Sequence, residues 1–407
     1  MSFSRFHGAT SIGRHFLSLG RDDRYYTALP LYHSSAAMLA FGAGLANGST
    51  VVISPRFSPR TFFASVAVSR ATTIQYIGEM CRYLVSTPTS PFDRKHGVKR
   101  AFGNGMRPDV WAKFKDRFAI DEIIEFYGAT ESPASTLNKS RNRFHQGAIG
   151  RVGTLLQLTQ RKQLVLIRHD MDTGEPWRDP STGLCARSPP NEPGELLAQL
   201  DPDAISDKFQ GYWGNEAATA SKILRNVLTR GDAYFRTGDL MTGDRDGHTY
   251  FVDRVGDSFR WKAENVSTSE LERVLGAHAA IAEANVYGVQ LPAHDGRAGC
   301  AALVFAFTAV ENADDVSMPN EATLSSIAEH VTTRLPRYAR PLFLRAVTRF
   351  ETTGTAKYTK HGLRTQGVDP GLVTNGDRLF WLHPRHGTYV AFGKDDWQGL
   401  VSGKTKL

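Results

Sequence analysis

The chain of 407 residues is long enough for two or three domains with real cores. Its 41% hydrophobic and 22% charged residues are ordinary for a globular protein, and 49 basic against 41 acidic residues give a formal charge of +8. That excess is spread along the sequence with no Lys/Arg block interleaved with aromatics, which argues against a nucleic-acid partner. Cys81, Cys185 and Cys300 are odd in number and far apart, so a disulfide framework and a cysteine metal cluster are excluded and a reducing, intracellular setting is expected. No apolar run reaches the ~18 residues of a membrane span, and no signal-peptide pattern opens the chain.

Residues 28–53 predict a turn, a Gly/Ala-rich apolar helix from Ser34 to Asn47, and the strand Thr50-Val51-Val52-Ile53. Ile74 to Ile77 reads as a short strand, followed by a helix around Met80–Leu84. Val98 to Phe102 runs into Gly103-Asn104-Gly105, and Ile120 to Phe126 runs into Tyr127-Gly128. Strands that end in glycine and alternate with helices predict an α/β layered sheet. Ligands in such sheets bind at the carboxyl ends of strands, where both glycine turns lie.

From Gly150 to Val252 helical periodicity weakens and Gly/Pro turns become frequent. Leu164–Ile167, Gly194–Ala198 and Tyr250–Val252 predict strands of a small β subdomain, with a surface loop over Asp172–Pro193. A charged link containing glycine, Asp253 to Asn265, comes next. Beyond it, helices at Ser267–Leu275 and Ala322–Leu335 alternate with strands near Ala284–Val289 and Ala301–Phe307, a compact α+β domain.

Several short motifs carry chemistry on these elements. In Tyr127-Gly128-Ala129-Thr130-Glu131 an aromatic face can stack on a purine, and a hydroxyl and a carboxylate can meet phosphate and Mg²⁺. In Thr237-Gly238-Asp239 a carboxylate on a tight turn can accept both hydroxyls of a ribose, or merely cap the turn. Leu29-Pro30-Leu31-Tyr32-His33-Ser34 places one histidine at a helix start. Thr352-Thr353-Gly354-Thr355-Ala356-Lys357 ends a Gly/Thr loop with a flexible cation.

In this order the motifs resemble those of the adenylate-forming, or AMP-binding, enzyme superfamily. Phe259-Arg260-Trp261-Lys262-Ala263-Glu264-Asn265 is most similar to the branch of fatty-acid transport proteins and very-long-chain acyl-CoA synthetases. The resemblance runs from about Tyr25 to the C-terminus. It implies an α/β fold: an incomplete large AMP-binding domain over 1–253, with its β-rich subdomain at about 150–252, a hinge at 254–265, and a mobile, smaller α+β domain over 266–407. It also implies roles. Tyr127 and Gly128 pack on adenine, and Gly103, Asn104 and Gly105 line the adenine and acyl pocket. Thr130 contacts phosphate, Glu131 holds Mg²⁺, Asp239 takes the ribose, and Arg254 meets ribose and phosphate. Asp257 is the pivot of the hinge, and His33 gates an acyl pocket walled by Gln75–Tyr83. Lys357, rather than Lys360, is the adenylation lysine. Arg107 is a further candidate beside the glycine turn, with plain surface as its alternative. Ala263 stands where relatives have glycine, near the pantetheine path. Arg337–Pro341 is expected to be a structural turn.

The implied reaction is activation of a fatty acid or other carboxylic acid by ATP, through an acyl-AMP, to an acyl-CoA thioester, with CoA as co-substrate and long or very long acyl chains favoured. A Ser/Thr/Gly-rich phosphate loop of the type TSGTTGxPK is expected in this superfamily and does not occur in the 407 residues. Its nearest imitation, His7–Arg14, lacks the lysine and the spacing. Residues 1–20 resemble the helix that follows that loop. An N-terminally truncated chain is therefore expected, with Met1 internal to a longer frame. Two alternatives follow: a non-catalytic remnant that binds acyl groups or partners, and a carboxylate-activating ligase of a secondary-metabolite pathway. Thr405-Lys406-Leu407 is similar to a peroxisomal address, an ordinary basic tail being the alternative. Oligomerisation and peripheral association with the endoplasmic-reticulum membrane are compatible with the resemblance.

Overall fold

The computed structural model describes residues 3–170, 173–262, 264–292, 294, 296–306, 319–350, 360–374, 376–383 and 386–405. Its first sheet has six strands, in the order Thr50–Ile53, Arg24–Thr27, Thr73–Ile77, Arg100–Asn104, Glu122–Gly128 and Ser135–Ser140. The first five are parallel; Ser135–Ser140 closes one edge antiparallel to Glu122–Gly128. Helices cover both faces, so the strands are apolar on both sides. Period-two alternation assigns the faces. Tyr26 joins Phe62, Phe63, Trp111 and Phe114 on one side, while the neighbouring Tyr25 joins Leu17, Leu39, Phe102 and Ile124 on the other. Full burial of such side chains contributes roughly 1.5–3 kcal/mol each.

The apolar helix after His33 departs from the expected α-helix. It winds as a π-helix over Ser35–Gly42 and becomes α-helical only at Ala43–Ala46. The buried Gln75 touches the first turn of this helix: its Nε2 donates to the Ser35 carbonyl at 2.9 Å, and Thr27 Oγ1 donates to its Oε1 at 2.7 Å.

A second, antiparallel sheet runs Gly150–Arg151, His248–Arg254, Ala233–Gly243, Gly194–Leu200 and Leu164–Ile167. Thr237-Gly238-Asp239, expected as a turn, lies inside the eleven-residue strand Ala233–Gly243. Register shifts on both sides of that strand supply the local bend. The hinge segment forms a small hairpin of Phe259–Trp261 with Glu264–Val266.

The C-terminal part is a third sheet, Ile281–Gln290, Arg297–Phe305, Phe343–Ala346, Arg378–Leu382 and Tyr389–Ala391, covered by the helices Thr268–Gly276 and Glu321–Arg334. Both helices start on side-chain caps: Ser267 Oγ accepts from Glu270 N at 3.3 Å, and Asn320 Oδ1 accepts from Thr323 N at 2.8 Å. Residues 337–339 form a single 3₁₀ turn before the strand at Phe343. The three cysteines are buried and free.

Candidate functional site

The carboxyl ends of the parallel strands bring most of the motif residues together. Gly103 and Asn104 end one strand, and Tyr127 and Gly128 end the next. A Cβ on Gly78 would come within 1.7 Å of the Gly105 carbonyl oxygen, so the helix Gly78–Ser86 and the glycine turn touch backbone to backbone. The buried Glu125 fixes that turn from below. Its carboxyl accepts from Met106 N at 2.9 Å and from the Tyr76 hydroxyl. Burial pushes this carboxyl up to about 8, against the opposing hydrogen bonds from Tyr76, Met106 and Gly105. Asn104 Oδ1 is buried beside the turn without a hydrogen-bond partner among the described residues, an acceptor left over for a ligand donor.

Tyr127 and Asp239 meet across the two sheets. The phenol donates to Asp239 Oδ2 at 2.5 Å. Burial, and then the negative charge of Asp239, keep Tyr127 protonated far above its usual range, while Arg254 acts in the opposite direction. Arg254 pairs in register with Asp239 on the adjacent strand. The bend at Gly238 (φ +77°) requires a left-handed residue. It is held by Thr237 Oγ1, which donates to Leu196 O at 2.7 Å and accepts from Asp239 N at 3.1 Å. Glu195 supports it from inside the sheet, accepting from Gly238 N at 3.3 Å and from Arg236 at 3.0 Å. Burial alone would raise the Glu195 carboxyl. The nearby His169, whose Nδ1 lies 3.6 Å away, and the hydrogen-bonded guanidinium of Arg236 hold it below the ordinary range instead.

The start of the π-helix reaches the same place. Ser34 Oγ lies 3.2 Å from Thr130 Oγ1, which sets His33 beside the segment 127–131. His33 Nδ1 accepts from Ser35 N at 3.3 Å, orienting the ring locally. Glu131 accepts from the Tyr212 hydroxyl at 3.3 Å. Among the described residues there is no group of three or more His, Cys, Asp or Glu side chains that could hold a metal by themselves.

The hinge is tied at both ends. Asp253, 2% exposed, accepts from Thr268 N at 2.7 Å, from Thr268 Oγ1 at 3.1 Å and from Ser258 Oγ at 3.1 Å. Asp257 accepts from Arg364 Nη2 at 2.6 Å. Lys357 and Ala263 lie outside the described residues.

Sequence reasoning missed Glu125, Glu195 and Tyr212. The first two carried a signal: each is a carboxylate within a largely apolar strand, and such a residue, when buried, must have dedicated donors. Arg107 was open between surface and site. It is half-buried and reaches across to Glu272.

The AMP-binding enzyme family matches residues 4–213, more than half of the chain, and the AMP-binding enzyme C-terminal domain matches residues 270–357. The very long-chain fatty acid transport protein of Cochliobolus heterostrophus is 42% identical over 96% of this chain and 59% of its own length. Isopenicillin N epimerase component 1 of Hapsidospora chrysogena is 43% identical over 94% of this chain and 62% of its own. The chain thus spans about three fifths of the length of these relatives. ATP-bound MatB from Rhodopseudomonas palustris superposes with a TM-score of 0.69 at 20% identity, over 90% of this chain and 64% of that one. The O-succinylbenzoate CoA synthetase MenE from Bacillus subtilis, in complex with AMP, gives 0.64 at 22%, over 90% and 65%. These two establish the fold. With the family match, they make the chain a member of the AMP-binding enzyme family.

Proposed function

We propose that this chain serves an ATP-dependent acyl-CoA synthetase reaction, in which a carboxylate attacks the α-phosphate of ATP and expels pyrophosphate, and the thiol of CoA then displaces AMP from the acyl-adenylate. The observation that carries the reading is the pairing of Tyr127 and Asp239 at the carboxyl ends of the parallel strands. A half-buried carboxylate on a bent strand, bonded to an aromatic side chain, together with Asn104 Oδ1, which has no hydrogen-bond partner among the described residues, offers acceptors for ribose hydroxyls and an adenine amine, and a flat face for the base. Relatives whose names give fatty acid transport, and structural neighbours whose titles give CoA ligation with ATP or AMP, support it.

Within this reading Asp239 accepts the ribose hydroxyls, and Arg254, its neighbour in the ladder, meets ribose and phosphate through charge-assisted bonds. Gly103, Asn104, Gly105 and Gly128 admit the base, Thr130 contacts phosphate, and His33 gates the acyl path. Bound Mg²⁺ would offset phosphate charge. Glu131 is the carboxylate placed for it, acting beside phosphate oxygens as Mg²⁺ sites commonly do. Lys357 would stabilise charge developing at the α-phosphate. Residues 1–253 and 266–407 would turn about Asp257 within the hinge 254–265, exchanging the groups presented in the two half-reactions. Among the described residues no helix is long and apolar enough to cross a membrane; a peroxisomal or peripheral-membrane location belongs to the same proposal.

The relative of Hapsidospora chrysogena, as similar as the fatty acid transport protein, favours testing acids other than fatty acids. A second reading is acyl binding without adenylation. AMP titration by calorimetry, followed by pyrophosphate exchange and thioester formation with a panel of fatty and aromatic acids, separates the readings. The proposal expects AMP binding that weakens in Asp239→Ala. Equal AMP binding by both proteins, or none by either, would sink it. Acid binding without exchange would favour the second reading.

A further inference from the structure

Arg107 lies two residues beyond Gly105, at the start of the helix Pro108–Phe118. Its Nε is held by Asp109 at 3.0 Å, and its Nη2 donates to the Glu272 carbonyl at 2.7 Å. That carbonyl belongs to the helix Thr268–Gly276 on the far side of the hinge. The helix end is shaped for the guanidinium: a Cβ on Gly276 would come within 2.8 Å of Arg107 Nη2. A cation near a helix C-terminus also meets the negative end of the helix dipole.

Glu272 continues the connection. Its carboxylate accepts from Val286 N at 3.0 Å and from Lys360 Nζ at 3.0 Å. Lys360 Nζ also donates to Thr268 Oγ1 at 3.0 Å and lies 3.6 Å from Asp257 Oδ2. Arg364, one turn further, takes the other oxygen of Asp257. The side chains of Arg107, Glu272, Lys360 and Asp257 are only 18–21% exposed, so their attraction is screened less than that of a surface pair. An independent bridge lies nearby: Arg82 reaches the Ala282 carbonyl and lies 3.6 Å from Glu283.

We propose that Arg107 and Lys360 are positioning residues that clamp the domain arrangement seen here, through the continuous chain Arg107–Glu272–Lys360–Asp257. One end of the clamp rests beside the Gly103–Gly105 turn, and the other holds the hinge carboxylate. Its use rests on the acyl-adenylate reading. Turning the C-terminal domain must break this chain, so the clamp biases which half-reaction the resting protein is set for.

Donor and acceptor dyes on Ser221→Cys and Ser402→Cys, two exposed positions on either side of the hinge, report the arrangement in the full chain without ATP or acid; the native cysteines are buried. The wild-type background should show one narrow distance population. Arg107→Ala and Lys360→Met should each broaden or shift it. The double variant should add little to either single change, since both cut one chain. Unchanged distributions in both single variants, or a broad wild-type distribution, would overturn the clamp. Thermal melting identifies a variant that fails to fold. Glu272→Gln then replaces it, keeping the side-chain shape and losing the charge, with the same broadening expected and the same unchanged distribution refuting the clamp. Because the readout uses no substrate, a protein that activates no acid still decides the clamp, and an active protein with unchanged distributions sinks the clamp alone.

Discussion

Tyr127 and Asp239 show how much a single contact decides. The phenol stays protonated and keeps donating to the carboxylate, so Asp239 presents a fixed oxygen to whatever enters. Asp239→Ala should weaken AMP binding about 30-fold, from the ~2 kcal/mol expected of bonds to a charged acceptor, as read by calorimetry. Glu125 makes a prediction in pH. Its carboxyl is raised by burial from an ordinary 4.5 to about 8. Between those values the unfolded chain has released this proton and the folded chain has not. The stability associated with Glu125 is therefore full below about 4.5 and lost progressively as pH rises to about 8. Glu125→Gln removes this titration. The melting temperature of the variant minus that of the wild type should rise across that window and level off above it. A difference independent of pH would refute the assignment.

At the scale of elements, close backbone approach matters more than local preference. Gly78→Ala forces a Cβ against the Gly105 carbonyl, and should cost about 1–3 kcal/mol or more in urea unfolding. Gly362→Ala is its control. That glycine lies in the helix His361–Gln366 with nothing within 4 Å of an added Cβ, so the change should be neutral or stabilising by up to about 1 kcal/mol. Asn320→Ala should remove a cap from Glu321–Arg334 and cost about 1 kcal/mol. Three parallel strands, Thr73–Ile77, Arg100–Asn104 and Glu122–Gly128, were legible in the sequence because each carries an apolar run into a glycine turn, and Thr50–Ile53 was legible from its apolar run alone. Arg24–Thr27 and Ser135–Ser140 were not, since neither Arg-Tyr-Tyr-Thr nor Ser-Thr-Leu-Asn-Lys-Ser has an apolar run, and tertiary pairing decides both. The π-winding at Ser35 was not legible either, and the Gln75 side chain bonded to its first turn lies forty residues away in sequence. The strands that carry 103–104 and 127–128 are neighbours, and Tyr127 bonds Asp239, so these motif residues meet at one end of the first sheet. Lys357 could be named only from the sequence, whereas Lys360, set aside there, has a structural task at the hinge.

For the whole molecule, the second and third of the large sheets have separate cores and are linked by the charged hairpin Phe259–Val266. Domain motion is the ordinary expectation for such a join. The protein nevertheless has a buried anchor there. Asp253 sits at the end of the large domain's last strand, and its carboxylate takes the N–H and hydroxyl of Thr268, with Ser269 Oγ at 3.4 Å. All these donors travel with the C-terminal helix. If that helix swung away, the buried carboxylate would lose these donors together and be left with the Arg254 N–H and the Ser258 hydroxyl. The consequence concerns timing. With departure and arrival not smoothly exchanged, the proposed hinge would act less as a free swivel than as a ratchet with a detent. The two arrangements should interconvert in discrete jumps on the microsecond-to-millisecond scale or slower, rather than drift through intermediate angles.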